Sequence, residues 1–111
     1  MAAPRDSLPE MAARAFGMLQ NAARTGDGAE MDQAIGLLRQ GLSAIPPGDP
    51  DRGVWLGAIE SALQSRFELS ADVRDLDAAV DAGRQAVQGT PPDHPMRAAL
   101  LSSLGTSLRM P

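Results

Sequence analysis

The sequence predicts an all-α fold of about five helices, arranged as antiparallel helix–turn–helix repeats. Three observations carry that expectation. Apolar residues recur at three- and four-residue spacing, the stripe of an amphipathic helix. Threonine and valine are scarce and no alternating apolar run occurs, which argues against a sheet. The stretch "IPPGDPDR" at 45–52 returns as "TPPDHPMR" at 90–97.

That recurrence extends well beyond the prolines. With residues 30–66 placed over 75–111, a constant offset of 45 pairs Asp32 with Asp77, Ala34 with Ala79, Arg39 with Arg84 and Gln40 with Gln85. It also pairs Arg52 with Arg97, Leu56 with Leu101 and Leu63 with Leu108. Agreement at polar and apolar sites alike marks an internal repeat. Upstream, an offset of 44 sets Met11 on Trp55 and Ala15 on Ile59, whereas an offset of 45 aligns Thr25-Gly26-Asp27 with Ser70-Ala71-Asp72. Both hold if one residue is lost in that turn.

The elements follow in order. Helices are expected over 6–24, 29–45, 51–69, 73–89 and 95–109. The first carries Leu8, Met11, Ala12, Ala15, Met18, Leu19 and Ala22; the second Met31, Ala34, Ile35, Leu38 and Leu42. The third carries Trp55, Leu56, Ile59, Ala62, Leu63 and Phe67, and the fifth Leu100, Leu101, Leu104 and Leu108. The fourth has Leu76, Ala79, Val80 and Val87, with Gly83 where the second has Leu38. A glycine there weakens the helix or admits a neighbour closely. The turns "RTGDGAE", "PPGDP", "LSADV" and "TPPDHP" are short, so consecutive helices should pack antiparallel. The expected organisation is one domain: repeat 1 over 6–47, repeat 2 over 50–92 and a capping helix over 94–109, standing alone or cut from a longer array.

Composition narrows the function. A chain 43% hydrophobic can bury a core, and with three aromatics (Phe16, Trp55, Phe67) that core is aliphatic. The net charge is −4 and the basic residues are dispersed, which argues against nucleic acid. The absence of cysteine removes thiolate catalysis, disulfides and cysteine-held zinc. No apolar run reaches the ~20 residues of a membrane span and no signal-peptide core is present, so a cytoplasmic location and no membrane partner are expected.

Residues with chemical potential are better explained by structure. His94 has no second histidine or cysteine to make a metal cluster or nucleophilic pair, and it stands where Asp49 stands in the other copy; both are candidate helix caps. Asp72, Asp75 and Asp77 in "DVRDLD" sit at a helix start, where carboxylates favour the positive helix end, and they lack the glycine and glutamate of a calcium loop. "GDGAEMD" lacks the Lys-Ser/Thr of a phosphate loop and reads as a turn. Arg39/Arg84 and Arg52/Arg97 recur, which points to a structural task such as pairing with an acidic neighbour. Met11, Met18 and Met31 lie on apolar stripes and are expected in the core. No catalytic residue, metal site or cofactor is expected.

The pattern resembles the tetratricopeptide repeat. "LGTSL" (Leu104, Gly105, Leu108) is similar to that family's A-helix signature. "DQAIGLLRQGLSAIPP" and "DAAVDAGRQAVQGTPP" resemble its B helix and closing proline. The period of 45 departs from the usual ~34. Ile59-Glu60 and Ala15-Phe16 stand where the first two A helices would carry Leu-Gly. The long period, the "TGD" turn and "PPDHP" are similar to degenerate repeats of large bacterial and fungal signalling proteins and of proteins carrying a CHAT peptidase. The resemblance implies a non-enzymatic protein–protein interaction scaffold with a groove lined by A helices. It places Val54, Gly57, Ser61, Gln64, Ser65, Ala99, Ser102, Thr106, Arg109 and Met110 in that groove, facing a protein or peptide partner. Two alternatives stand beside it: a self-associating, homodimeric or regulatory segment of a larger protein, and a small-molecule-binding helical domain.

Overall fold

The computed structural model describes residues 8–110, and its order is α1 (Leu8–Thr25), α2 (Gly28–Ser43), α3 (Asp51–Ser70), α4 (Val73–Gln88) and α5 (Arg97–Arg109). Among the described residues there is no strand. The all-α, five-helix expectation holds, with boundaries moved by a residue or two. Residues 6 and 7 of the first expected helix lie outside the described residues. The second stops at Ser43 because its end tightens: Ala44 N–H donates to Gly41 O and Ile45 N–H to Leu42 O, at 3.1 and 3.0 Å. The fifth starts at Arg97, not 95, because Pro95 and Met96 still belong to the turn.

The turns show how local chemistry stops and restarts each helix. α1 ends where Gly26 turns left-handed at φ 77°, its N–H donating to Ala22 O at 2.7 Å. α3 ends the same way at Ala71, φ 58°, with its N–H on Phe67 O at 2.7 Å. Asp27 then caps α2, accepting from Glu30 N–H at 3.1 Å, and Asp72 caps α4, accepting from Arg74 N–H at 3.0 Å. Thr25 Oγ1 donates to Asn21 O and Ser70 Oγ to Arg66 O, each at 3.0 Å. Apart from the donors to the two caps, Glu30 at the third residue on and Arg74 at the second, these pairs are 45 residues apart; the two turns have equal length and neither has lost a residue.

The proline turns match in the same way. Asp49 N–H donates to Pro46 O and His94 N–H to Pro91 O, both at 3.0 Å. The Asp49 carboxylate accepts from Asp51 N–H at 2.9 Å, and His94 Nδ1 accepts from Met96 N–H at 3.0 Å. His94 therefore does the work of Asp49 within the turn, but neither is the helix cap expected of it: Pro50 and Met96 stand at the caps of α3 and α5, without a side-chain cap bond. Arg52 Nη1 donates to Leu42 O and Ile45 O at 3.5 and 3.3 Å; Arg97 Nη1 donates to Val87 O and Thr90 O at 3.1 and 2.7 Å. These arginines satisfy the carbonyls at the end of the preceding helix, where a cation also meets the negative end of the dipole. The acidic neighbour expected for them is not their partner. Arg39 and Arg84 are exposed and make no ion pair with a described residue.

The same contacts fix the topology. Arg52, at the start of α3, reaches the end of α2, while Arg66, near the end of α3, bonds Asp32 at the start of α2 at 2.8 Å. α2 and α3 are thus antiparallel. Arg66 also pairs with Asp75 at the start of α4 at 2.9 Å, and Gly53 lies against Ala86 and Thr90 at its other end. α3 packs on α2, α4 and α5. The molecule measures 33 × 33 × 20 Å, two helix diameters thick, with α1, α3 and α5 in one layer and α2 and α4 in the other.

The core lies between the layers. Met31, Ile35, Leu38 and Leu63 are its largest fully buried apolar side chains. Met11 packs at its edge. Two close approaches tighten it. A Cβ on Gly41 would overlap the Trp55 ring, and one on Gly83 would overlap the Glu60 carboxylate. In the corresponding places further along, Ala86 and Leu100 share a second buried cluster with Leu56. The larger ring in the first pair is thus met by the smaller residue.

Candidate functional site

The outer face of the layer formed by α1, α3 and α5 carries a groove of about 240 Å³. α3 supplies its floor through Gly57, Ala58 and Ser61. Gly57 lets Leu100 come close: its Cδ2 lies 2.6 Å from where a Cβ would stand, so a larger residue would make that side chain shift. The walls are Phe16 from α1, Val54 from α3, Met96 just before α5 and Ala99 in its first turn, with Leu100 and Ser103 behind them. Phe16, Val54 and Met96 are 49%, 40% and 41% exposed. Large apolar groups held open on one concave face are the usual mark of an interaction surface.

No charged side chain lines the groove, and its polar atoms are the hydroxyls of Ser61 and Ser103 and the local backbone. It offers dispersion contact and desolvation to an apolar group, with two hydroxyls at the edge. It offers nothing to a phosphate or a carboxylate. Its volume falls below the ~300–1,000 Å³ of small-molecule pockets and suits one or two aliphatic side chains.

Of the ten residues expected to face a partner, Val54, Gly57, Ser61 and Ala99 line this groove. Gln64 turns inward instead: its amide donates to Ser107 Oγ at 2.7 Å and Ser103 O at 3.2 Å, tying α3 to α5. Thr106 Oγ1 donates to its own helix at Ser102 O, 3.1 Å away. The Arg109 guanidinium lies over Gly105. Ser65 and Met110 are half-buried and Ser102 is exposed, all outside the groove.

Phe16 and Met96 were missed by sequence reasoning. At an offset of 44 Phe16 falls on Glu60, a buried position; at 45 it falls on Ser61, in the groove. The hydrogen bonds of the turn choose 45, and so do the burials. Ala15 and Glu60 are both 0% exposed. Met96 belongs to the turn before α5 and to no apolar stripe.

A larger cleft, about 590 Å³, lies elsewhere, between the starts of α2 and α4. Its charges satisfy one another. Arg66 bridges Asp32 and Asp75, and Arg74 pairs with Asp72 at 2.8 Å. The Arg74 side-chain hydrogen bond, followed by the one from its backbone N–H, holds the Asp72 carboxyl below its ordinary value. With each arginine matched to a carboxylate, the cleft is a fastening between helices and we place no ligand there. Among the described residues no group of histidine, cysteine, aspartate and glutamate is arranged to hold a metal ion. Among them also, no helix is long and apolar enough to cross a membrane.

Compared with protein-family models, with curated proteins and with solved structures, the chain gives no match.

Proposed function

We propose that the chain is a non-enzymatic protein–protein interaction module of tetratricopeptide-like architecture, which seats an apolar side chain of a peptide or partner helix in the groove of α1, α3 and α5. The observation that carries this reading is the exposure of Phe16, Val54 and Met96 around a floor of small residues with no charge in the lining. Such a groove gives affinity through an anchor residue and leaves specificity to its rim. Hydrogen bonds repeated at 45 residues support a repeat scaffold, and A-type helices line the binding face in that architecture.

A displayed library of random 12-residue peptides tests the reading. Selection on the protein should enrich sequences with a shared aliphatic or aromatic anchor. The selected peptides should bind Phe16→Glu and Met96→Glu variants at least tenfold more weakly. No enrichment, or equal binding to the variants, overturns it. The self-associating reading draws on a different surface, the exposed Leu101 and Leu108 of α5.

A further inference from the structure

Leu101, Leu104 and Leu108 form one row along α5, roughly a third of a turn from the groove. The residues 45 positions earlier, Leu56, Ile59 and Leu63, form the same row on α3. There they are 5%, 4% and 1% exposed. They lie in the crevice between α2 and α4, with Leu42 on one side and Ala78 and Ala82 on the other. On α5, Leu101 and Leu108 are 47% and 55% exposed. The row that two helices cover on α3 therefore continues onto α5 with α4 on one side only.

We propose that this face of α5 docks an amphipathic helix antiparallel to it, with an acidic first turn and a large aliphatic residue opposite Gly105. The interface it would continue defines both features. Gly105 stands at the position of Glu60 and Ala15. Opposite the bulky Glu60, α4 has Gly83; Ala15 shares the core with Leu38 of α2. A glycine on α5 thus calls for a residue like Leu38, taking the place of the exposed Arg109 guanidinium that lies over Gly105. The charges agree: α5 carries Arg97 and Arg109 and no acid, and Arg109 lies in its last turn, where an antiparallel helix begins.

A synthetic peptide of residues 27–45, the α2 sequence, serves as the probe, read by fluorescence anisotropy and by hydrogen exchange of α5. A free helix of this length is marginal in water. The same sequence is therefore also fused after residue 111 through a flexible Gly-Ser linker, and thermal unfolding is measured. Saturable binding and a midpoint raised by several degrees are expected. Leu101→Asp with Leu108→Asp should abolish both, and Leu38→Gly in the probe should weaken binding at least tenfold. The 72–90 peptide, with Gly83 at that position, should bind equally weakly. Absence of any effect from both probes overturns the proposal, as does an effect that survives the double aspartate variant. A concentration-dependent dimer that is lost in that variant and not displaced by the peptide overturns it in favour of a second copy. The groove reading is separable, since Phe16→Glu should leave this binding unchanged.

Discussion

The carboxylate of Glu60 occupies the volume that a side chain on Gly83 would fill. Glu60 is fully buried, and its Oε2 accepts from Ser107 Oγ at 2.7 Å. Oε1 is buried without a hydrogen bond from a described residue. In the first helix pair the same two positions hold Ala15 and Leu38, both fully buried. Volume is conserved while the large residue changes sides. One helix pair is closed by an aliphatic contact, and the other by a polar network that also reaches α5 through Gln64 and Ser107.

Substitution at Gly83 should therefore go against helix propensity. Gly83→Ala gains about 1 kcal/mol of propensity but collides with a packed carboxylate, and overpacking costs about 1–3 kcal/mol. A net loss in urea midpoint is expected. Gly36→Ala, in an open position with nothing within 4 Å, should gain up to about 1 kcal/mol. Glu60→Ala with Gly83→Leu recreates the arrangement of Ala15 and Leu38. Its stability should exceed the sum of the two single changes, and strict additivity would count against the packing argument.

The left-handed turn residues give a second pair of opposite signs. Ala71 at φ 58° carries a strain of about 1–2 kcal/mol that Gly26, at φ 77° in the equivalent turn, does not. Ala71→Gly should raise the thermal midpoint and Gly26→Ala should lower it. If both substitutions lower it, the backbone is not as described.

The helices were legible because their stripes and punctuation are local. Leu, Ile and Met at three- and four-residue spacing mark a face, and Asp27, Asp72 and the proline turns mark the ends. The partners of Arg52 and Arg97 were not legible. The recurrence showed a structural task, but the partners are backbone carbonyls, which have no letter in the sequence. Glu60 was hidden for a related reason. A glutamate inside a helix reads as solvated, and its burial depends on Gly83, far away in the chain. In the groove, Val54, Gly57, Ser61 and Ala99 were found from an A-helix pattern, whereas Phe16 needed the offset that only the turn geometry decides.

Those arginines can be tested directly. Arg97→Ala removes the side-chain donor to the carbonyls of Val87 and Thr90, leaving Val87 O its backbone donor Thr90 N–H, and should cost about 1–2 kcal/mol. Arg52→Ala should cost less, because its bonds at 3.3 and 3.5 Å are longer. Lysine keeps the charge without the fork and should recover only part of the loss. Equal losses at both sites, or full rescue by lysine, would mean that charge alone matters.

The Asp72 cap predicts an acid dependence whose sign follows from its partners. Hydrogen bonds from the Arg74 side chain, and then from its backbone N–H, favour the ionised form in the folded protein. The folded pKa lies below the ordinary 3.8, so the unfolded chain takes up the proton first as pH falls. The contribution is complete above 3.8 and disappears as pH falls through the lower folded value. Asn at this position keeps a capping oxygen and removes the titration. Asp72→Asn should be less stable than the parent at pH 7, and the difference should shrink below pH 3.8 until the two unfold alike. Because the ion pair is exposed, added salt should narrow the gap at pH 7 as well. A difference that persists unchanged at low pH would assign the effect to cap geometry instead of charge.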